Sequence, residues 1–255
     1  MEGDGEMLTI KHGSKKSLPQ MKSLWREVFG DGEDFIALFF ERFYSPQKTL
    51  LLFEGEELIS MLFYMNVDLK YNKKKLKCAY LYGVATKLSE RRRGHFTRLH
   101  EKLVRELKNR NYDAVVTIPA NDSLFSFYKD YGYTISFKRF EYQLKSLDLI
   151  PLRDPTPVWE KRKEEMKRSK EGLYLLETKE QFMVSRRGHR FFKSGESYLS
   201  FAPEKKGWVL YEVVGDSVPT DLVHYERSAA LLDLKGIIDE EAAEKQKPSL
   251  SYLLN

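Results

Sequence analysis

One segment, residues 79–133, constrains the fold of this 255-residue chain more than any other. It begins with an apolar run typical of a β-strand, passes through a short loop with three arginines and a glycine, and enters an amphipathic helix. A second apolar strand and a short aromatic helix follow, so the segment predicts a strand–helix–strand–helix unit. The cationic loop lies where the first strand ends and the first helix begins. Because the N–H groups and the positive dipole end of a helix attract anions, this order predicts a phosphorylated ligand.

The sequence around this unit predicts a mixed α/β domain. Apolar residues at helical spacing predict helices over residues 18–29 and 34–44. Runs of β-forming residues predict strands over residues 7–11, 49–53, 57–71, 76–85, 113–118 and 133–144. The run over residues 113–118 is continuously apolar, which is typical of a strand buried on both faces.

The composition changes near residue 148, where three prolines fall within LDLIPLRDPTP. We therefore predict two domains, over residues 1–148 and 149–255. The second is a smaller mixed α/β domain, with helices predicted over residues 159–170, 181–192 and 227–235 and strands over residues 173–176, 198–201 and 208–214. Residues 186–189 repeat the Arg-Arg-Gly-His order of residues 92–95. The repeat is either chance or the trace of a degenerate copy of the first domain.

Charge and cysteine content narrow the classes of function. The formal net charge is +5, and residues 70–112 hold 14 lysines and arginines against three glutamates. Such a region attracts polyanions or is a solvated surface. The single cysteine, Cys78, excludes an intramolecular disulfide and an all-cysteine metal site. The sequence begins without an apolar signal region and has no apolar stretch of about 18 residues, so we expect a cytoplasmic protein without a membrane partner.

The residue types in the arginine loop suit a diphosphate. A glycine leaves the backbone open to an anion, and N–H groups at the start of a helix have no carbonyl partner within that helix. The arginines supply positive charge. The residues concerned are Arg91, Arg92, Arg93, Gly94, His95, Phe96 and Thr97. Taken alone, the loop is also compatible with an ordinary basic helix start.

In its context, the loop resembles the signature of the GNAT family, the acetyl-CoA-dependent N-acetyltransferases. That signature is [Q/R]-x-x-G-x-[G/A] after a long strand, followed by a helix, a strand and an aromatic helix ending in Gly-Phe or Gly-Tyr. Arg91 and Gly94 match it, whereas Phe96 replaces a glycine or alanine. A ring of this size would crowd the loop unless it points into the core while the Phe96 N–H faces the phosphate. The loop most resembles the Eis-like (enhanced intracellular survival) branch, whose members carry additional C-terminal domains.

The resemblance implies a GNAT fold, which is a mixed, mostly antiparallel sheet with splayed central strands. The opened strands would expose backbone groups of Val84, Ala85 and Thr86 to the pantetheine arm of acetyl-CoA, much like an added strand. Asn121 matches a position at which such enzymes use an asparagine on pantetheine. The same asparagine is equally suited to capping the helix that follows it.

The resemblance also implies the catalytic groups. Tyr128 occupies the position of the family's tyrosine, whose hydroxyl protonates the departing thiolate of CoA. Tyr131 is the weaker second choice. The general base stays open between a chain of water molecules and the terminal carboxylate at Asn255, the arrangement associated with Eis-like enzymes. No spacing typical of metal ligands occurs, so we predict no metal.

The predicted reaction is direct transfer of an acetyl group from acetyl-CoA to a primary amine of a small molecule or peptide. The expected partners are acetyl-CoA, as co-substrate, and an amine acceptor, rather than nucleic acid, while homo-oligomerisation stays open. Two alternatives remain. One is an aminoacyl-tRNA-dependent transferase, whose tRNA would contact the basic region. The other is a non-catalytic acyl-CoA-binding or interaction protein.

Overall fold

The computed structural model describes residues 7–144, 149–168, 173–176, 178–204, 207–215 and 220–239. Among them, the chain divides into two compact units. The first unit draws on residues 1–66 and 79–115, and the second on residues 67–78 and 116–255. In the part of the chain that is described, no helix is both long enough and apolar enough to cross a membrane.

The described residues form six α-helices and twelve β-strands. The helices are α1 (Leu18–Phe29), α2 (Glu33–Arg42), α3 (His95–Asn109), α4 (Asp122–Lys129), α5 (Thr156–Arg168) and α6 (Lys179–Ser185). The strands are β1 (Leu8–His12), β2 (Thr49–Glu54), β3 (Glu57–Tyr71), β4 (Lys74–Thr86), β5 (Ala114–Thr117), β6 (Ile135–Leu144), β7 (Ile150–Leu152), β8 (Leu173–Leu176), β9 (Arg190–Ser194), β10 (Ser197–Glu204), β11 (Gly207–Val214) and β12 (Thr220–Asp233).

The larger sheet has the strand order β1-β2-β3-β4-β5-β12-β6, with β8 paired to β3. The pairs β1–β2, β2–β3, β3–β8 and β6–β12 are antiparallel. Strands β4 and β5 are neighbours joined through α3, a crossover connection of the kind that parallel strands require. The predicted mixed, mostly antiparallel sheet is therefore confirmed. The splaying of its central strands stays a prediction.

The first unit has an aromatic core between its two N-terminal helices and the sheet. Trp25 of α1 is 1% exposed, and its ring centroid lies 4.5 Å from that of Phe39 and 5.8 Å from that of Phe63. Helix α1 ends at Phe29, and Gly30, with a left-handed φ of 68°, caps its last turn. Helix α3 buries Leu99, with Leu103 and Leu107, because these residues recur along one face.

The second unit contains a smaller antiparallel sheet of order β11-β10-β9-β7. Helices α5 and α6 bury Val158 and Phe182 in a core with Phe191 and Val214 of the strands. A smaller mixed α/β part after the first domain is therefore confirmed. Strand β12 returns to the larger sheet, between β5 and β6, and the domain boundary after residue 148 stays a prediction.

One predicted helix in this part of the chain was wrong, and another was predicted too long. Residues 227–235 belong largely to strand β12, which pairs with β6 and buries Ala229, Ala230 and Leu231. Alanine and leucine favour helices locally, but pairing within the sheet overrides that preference here. In the range 181–192, α6 ends at Ser185 and β9 begins at Arg190.

The two Arg-Arg-Gly-His stretches lie in different local structures. Residues 92–95 lead from a loop into α3, whereas residues 186–189 follow α6 and lead into strand β9. The second copy therefore does not repeat the strand–loop–helix order of the first.

Candidate functional site

The loop between β4 and α3 is open to solvent. All four residues from Arg91 to Gly94 are exposed, and α3 begins directly after them at His95. Arg92 and Gly94 have left-handed φ angles of 65° and 76°. No atom lies within 4 Å of the position that a Cβ would occupy on Gly94. An anion can therefore approach the backbone at the start of the helix.

The three arginines of this loop have different surroundings. Arg93 donates to the carboxylate of Glu90 at 2.9 Å. The Nε of Arg91 donates to the carbonyl of Thr86 at 3.4 Å, which links the loop to the end of β4. Arg92 has no ion pair within the described part of the chain. Its charge is therefore available to a ligand at the helix start.

The first two residues of α3 are buried. Phe96 is 9% exposed, and its ring lies 5.3 Å from that of His100, so its ring packs inward and does not crowd the loop. His95 is 6% exposed, and its Nε2 lies 3.5 Å from a Glu90 oxygen. Among the described residues, neither ring nitrogen of His95 has a hydrogen-bond partner. Burial lowers the pKa of His100 to about 4, so this ring is neutral at pH 7.

At the end of β4, the backbone N–H and C=O groups of successive residues point to opposite edges of the strand. The carbonyl of Ala85 accepts from Ser60 Oγ at 2.9 Å, and the N–H of Lys87 donates to the Ile59 carbonyl at 2.9 Å. Both therefore point towards β3. Because successive residues of a strand point their backbone groups to opposite sides, those of Val84 and Thr86 point away from β3.

Gly83 is a site residue that the sequence analysis did not single out. Its φ of 56° interrupts the extended backbone of β4 directly before Val84. A Cβ there would lie 2.8 Å from the Phe63 ring and 2.9 Å from the Trp25 ring. A glycine inside a strand often marks a bulge or a close approach of another group, so its position in the strand pattern was the available signal.

Half-exposed aromatic rings lie beside this part of β4. The ring of Tyr82 is 5.8 Å from that of Trp25, and Phe35 is also within ring contact of Trp25. Trp25 donates its indole N–H to Asp31 at 2.8 Å. Burial and the nearby Asp31 carboxylate raise the pKa of Tyr82 to about 12. The first unit therefore has aromatic faces and a carboxylate next to the strand end.

Asn121 caps helix α4 in the second unit. Its Oδ1 accepts from the N–H of Leu124 at 3.1 Å and from Ser123 Oγ at 2.7 Å. Of the two roles that the sequence left open, these bonds show the capping role, and a contact with pantetheine stays a prediction. Its side chain is exposed, so a contact with pantetheine would use the amide Nδ2.

Tyr128 lies on the buried side of α4. Its side chain is 6% exposed and its ring centroid lies 5.3 Å from that of Tyr133. Burial raises the pKa of Tyr128 to about 12, and a hydrogen bond with the Thr117 side chain offsets part of that rise. Thr117 is the last residue of β5. The phenol thus keeps its proton at neutral pH and is held at the end of that strand.

Asn255, the proposed source of a carboxylate base, lies outside the described residues. Within the described ranges, no group of three or more histidine, cysteine, aspartate or glutamate side chains is placed to hold a metal. The first unit offers a cationic helix start and an outward-facing strand end, groups that suit a phosphorylated ligand with a strand-like arm. The second unit offers a protonated phenol.

Comparison with known proteins identifies a family. The family model described as "Acetyltransferase (GNAT) domain" matches residues 9–136. No curated protein matches the chain.

Solved structures share the fold. A GCN5-related N-acetyltransferase from Kribbella flavida has 13% identity and a TM-score of 0.69, covering 91% of this chain and 72% of that one. Eis1 from Mycobacterium abscessus has 10% identity and a TM-score of 0.62, covering 89% and 74%. A putative acetyltransferase from Pyrococcus horikoshii has 15% identity and a TM-score of 0.54, covering 98% of each chain. The shared fold therefore extends well beyond residues 9–136.

Proposed function

Since the chain belongs to the acetyltransferase (GNAT) domain family, we propose that it transfers an acetyl group from acetyl-CoA directly to a primary amine of a small molecule or peptide. Family membership makes the chain an acyltransferase that uses an acyl-CoA donor. The amine acceptor, the Eis-like affinity and the residue roles that follow are our proposals.

The observation that carries the donor site is the open turn at Gly94. Its backbone is unobstructed, and its neighbours bring the charge of Arg92 and the N–H groups of the α3 start to one place. A helix start of this kind binds phosphate through N–H donors and its dipole. The orphaned nitrogens of His95 offer a further hydrogen-bonding group beside it. The diphosphate of acetyl-CoA fits these residues.

The end of β4 would hold the pantetheine arm. Backbone groups of Val84 and Thr86 point away from β3, so they are suited to pair with an extended amide chain. The exposed amide of Asn121 would add a side-chain donor to the same arm. This arrangement orients the thioester for attack, and orientation of reactants supplies much of the rate enhancement in such reactions.

The proposed chemistry transfers one acetyl group and one proton. The amine nitrogen attacks the thioester carbonyl, a C–N bond forms, and the C–S bond breaks. The amine loses a proton to a base, for which we propose the terminal carboxylate of Asn255. The Tyr128 hydroxyl donates its proton towards the departing sulfur. Because burial keeps this phenol protonated, it is a donor throughout the neutral range.

The acceptor is proposed to approach from the aromatic side of β4. A protonated amine is attracted by the carboxylate of Asp31 and by the faces of Tyr82 and Phe35. It must lose its proton before attack, so this surface gathers the acceptor rather than activating it. An aromatic surface with a carboxylate favours amines over neutral or anionic acceptors.

Calorimetry with acetyl-CoA tests the donor site. The double variant Arg92→Ala/Arg93→Ala should bind acetyl-CoA about tenfold or more weakly, because it removes two charges from the phosphate contact. The double variant Arg42→Ala/Arg187→Ala changes the net charge equally at two exposed positions and should bind like the parent. Equal losses in both double variants would contradict the assignment of the turn.

An amine panel that reads released CoA tests the reaction itself. Release that depends on a primary amine supports acetyl transfer. Tight acetyl-CoA binding without any release would indicate a non-catalytic acyl-CoA-binding protein. Transfer from an aminoacyl-tRNA in the absence of acetyl-CoA would instead support the tRNA-dependent alternative.

A further inference from the structure

A cavity of about 430 Å³ lies in the second unit between the hairpin that joins β3 to β4 and helix α5. Seven of its ten lining residues are lysine or arginine, and none carries a carboxylate. The other three are Trp159, Met166 and Leu176. Its volume is in the range of small-molecule sites. None of these residues belongs to the donor site proposed above.

Three of the six lysine side chains that line the cavity have no ion pair within the described part of the chain. Lys73 and Lys74, at the hairpin, and Lys167, on α5, are exposed and have no ion pair within the described part of the chain. The neighbouring Lys75 does have one, with its Nζ 2.7 Å from a carboxylate oxygen of Asp68. Like charges close together repel each other, so an anion in the cavity would relieve that repulsion.

Lys70 fixes one wall of the cavity. Its ammonium donates to the carbonyl of Met166 and, at 3.3 Å, to that of Lys167, at the end of α5. A cation is favourable there because the carbonyl end of a helix is negative. Burial lowers the pKa of Lys70. The contact ties the hairpin to α5, so the cavity lies between two linked elements.

A buried ion cluster lies at the cavity lining. Arg162 lines the cavity, is 1% exposed and pairs with Glu212, which is fully buried. The other oxygen of Glu212 lies 2.9 Å from Arg186. The two guanidinium groups lower the pKa of Glu212 against the opposing effect of burial, so it stays ionised. Arg162 therefore brings a guanidinium group, paired with Glu212, to the cavity lining.

The cavity also has an apolar surface. The Trp159 ring, the Met166 side chain and Leu176 line it together. Lys163 places its ammonium 4.7 Å from the centre of the Trp159 ring. Charged and apolar surface therefore lie side by side in the cavity. A bare inorganic anion has no apolar portion that would contact the apolar surface.

We propose that this cavity binds a small amphipathic polyanion, a molecule with two or more phosphate or carboxylate groups and an apolar or aromatic portion. The lysines would contact the anionic groups, and Trp159 with its apolar neighbours would cover the other portion. Nucleoside polyphosphates and lipid phosphates share this chemistry. A concave, partly apolar site of this volume favours such a molecule over an extended nucleic acid.

Fluorescence titration of the full chain with trinitrophenyl-ATP tests the proposal, in the presence of saturating acetyl-CoA to occupy the donor site. The variant Lys73→Glu/Lys74→Glu should weaken probe binding about tenfold or more, and added salt should weaken it further. The control variant Lys15→Glu/Lys16→Glu changes the charge equally at two exposed lysines that are neighbours in the sequence. It should bind the probe within about twofold of the parent. Circular dichroism confirms that both variants are folded. Trp159→Leu gives a second variant, which should weaken the probe about fivefold or more while leaving pyrophosphate binding unchanged.

Competition then separates the sources of the ligand. Displacement of the probe by ATP, at a concentration at least about tenfold below the pyrophosphate concentration that displaces it, supports a nucleotide as the ligand. The same result with dodecyl phosphate supports a lipid phosphate. Equal potency of pyrophosphate would overturn the amphipathic assignment. An RNA oligonucleotide that competes better than either organic phosphate would overturn the small-molecule assignment. Equal losses in the two charge-reversal variants would remove the site.

Discussion

Gly83 offers the sharpest test of how the strand end is built. A change to alanine should destabilise the protein by about 2–5 kcal/mol, from two separate causes. The φ of 56° costs an L-residue about 1–2 kcal/mol. In addition, the new Cβ would lie 2.8 Å from the Phe63 ring and 2.9 Å from the Trp25 ring. Both rings are 2% exposed or less, so relief requires movement of the core, at about 1–3 kcal/mol.

Gly30 provides the matched control for this change. Its φ of 68° is similar, but no atom lies within 4 Å of its Cβ position. Gly30→Ala therefore carries the strain without the clash, and should cost only about 1–2 kcal/mol. Urea denaturation followed by circular dichroism measures both free energies of unfolding. If Gly83→Ala costs no more than Gly30→Ala, the proposed close packing at Gly83 is wrong.

Three further outcomes follow from buried ionisable groups. Tyr128→Phe should lower the rate of acetyl transfer about 100-fold while acetyl-CoA affinity in calorimetry changes little, whereas Tyr131→Phe should leave the rate near that of the parent. The pKa values of Tyr128 and Tyr82 are about 12 in the folded chain and about 10 when unfolded, so the folded state holds more protons above pH 10. The free energy of unfolding should therefore fall as the pH rises from about 10 to 12, and an unchanged value in alkaline urea titrations would contradict their burial. Glu212→Gln should cost about 3–5 kcal/mol in urea denaturation, because two buried cations lose their shared carboxylate, against less than about 1 kcal/mol for the exposed Glu164→Gln.

The sequence predicted the parts of the site that depend on local order. The arginine loop and the helix after it follow from spacing along a continuous segment. The capping role of Asn121 follows from its place directly before a helix. Such features need only neighbours in the sequence, and these neighbours determine backbone conformation over a few residues. The identity of the base could not be reached in this way, because no local pattern places Asn255.

Features that join distant residues lay beyond the sequence. The cluster of Arg162, Arg186 and Glu212 brings together an α5 residue, one following α6 and a β11 residue. No spacing rule links them, since the contact exists only once the helices pack on the smaller sheet. The left-handed φ of Gly83 could not be predicted from the sequence, for a similar reason. A glycine within a strand pattern indicates a bend, but the rings that exclude a side chain come from α1 and β3.

Strand β12 comes late in the chain but belongs to the larger sheet, most of whose strands come from the first half of the chain. Residues 227–235 contain Ala-Ala-Leu-Leu, which favours a helix, yet Ala230 and Leu231 pair with Ser136 and Ile135 of β6. Because β12 lies between β5 and β6, the larger sheet is completed by residues far beyond residue 148. A chain ending at residue 148 would leave both of these strands without that neighbour. The proposed acetyltransferase domain over residues 1–148 therefore depends, for its sheet, on the part of the chain that follows it.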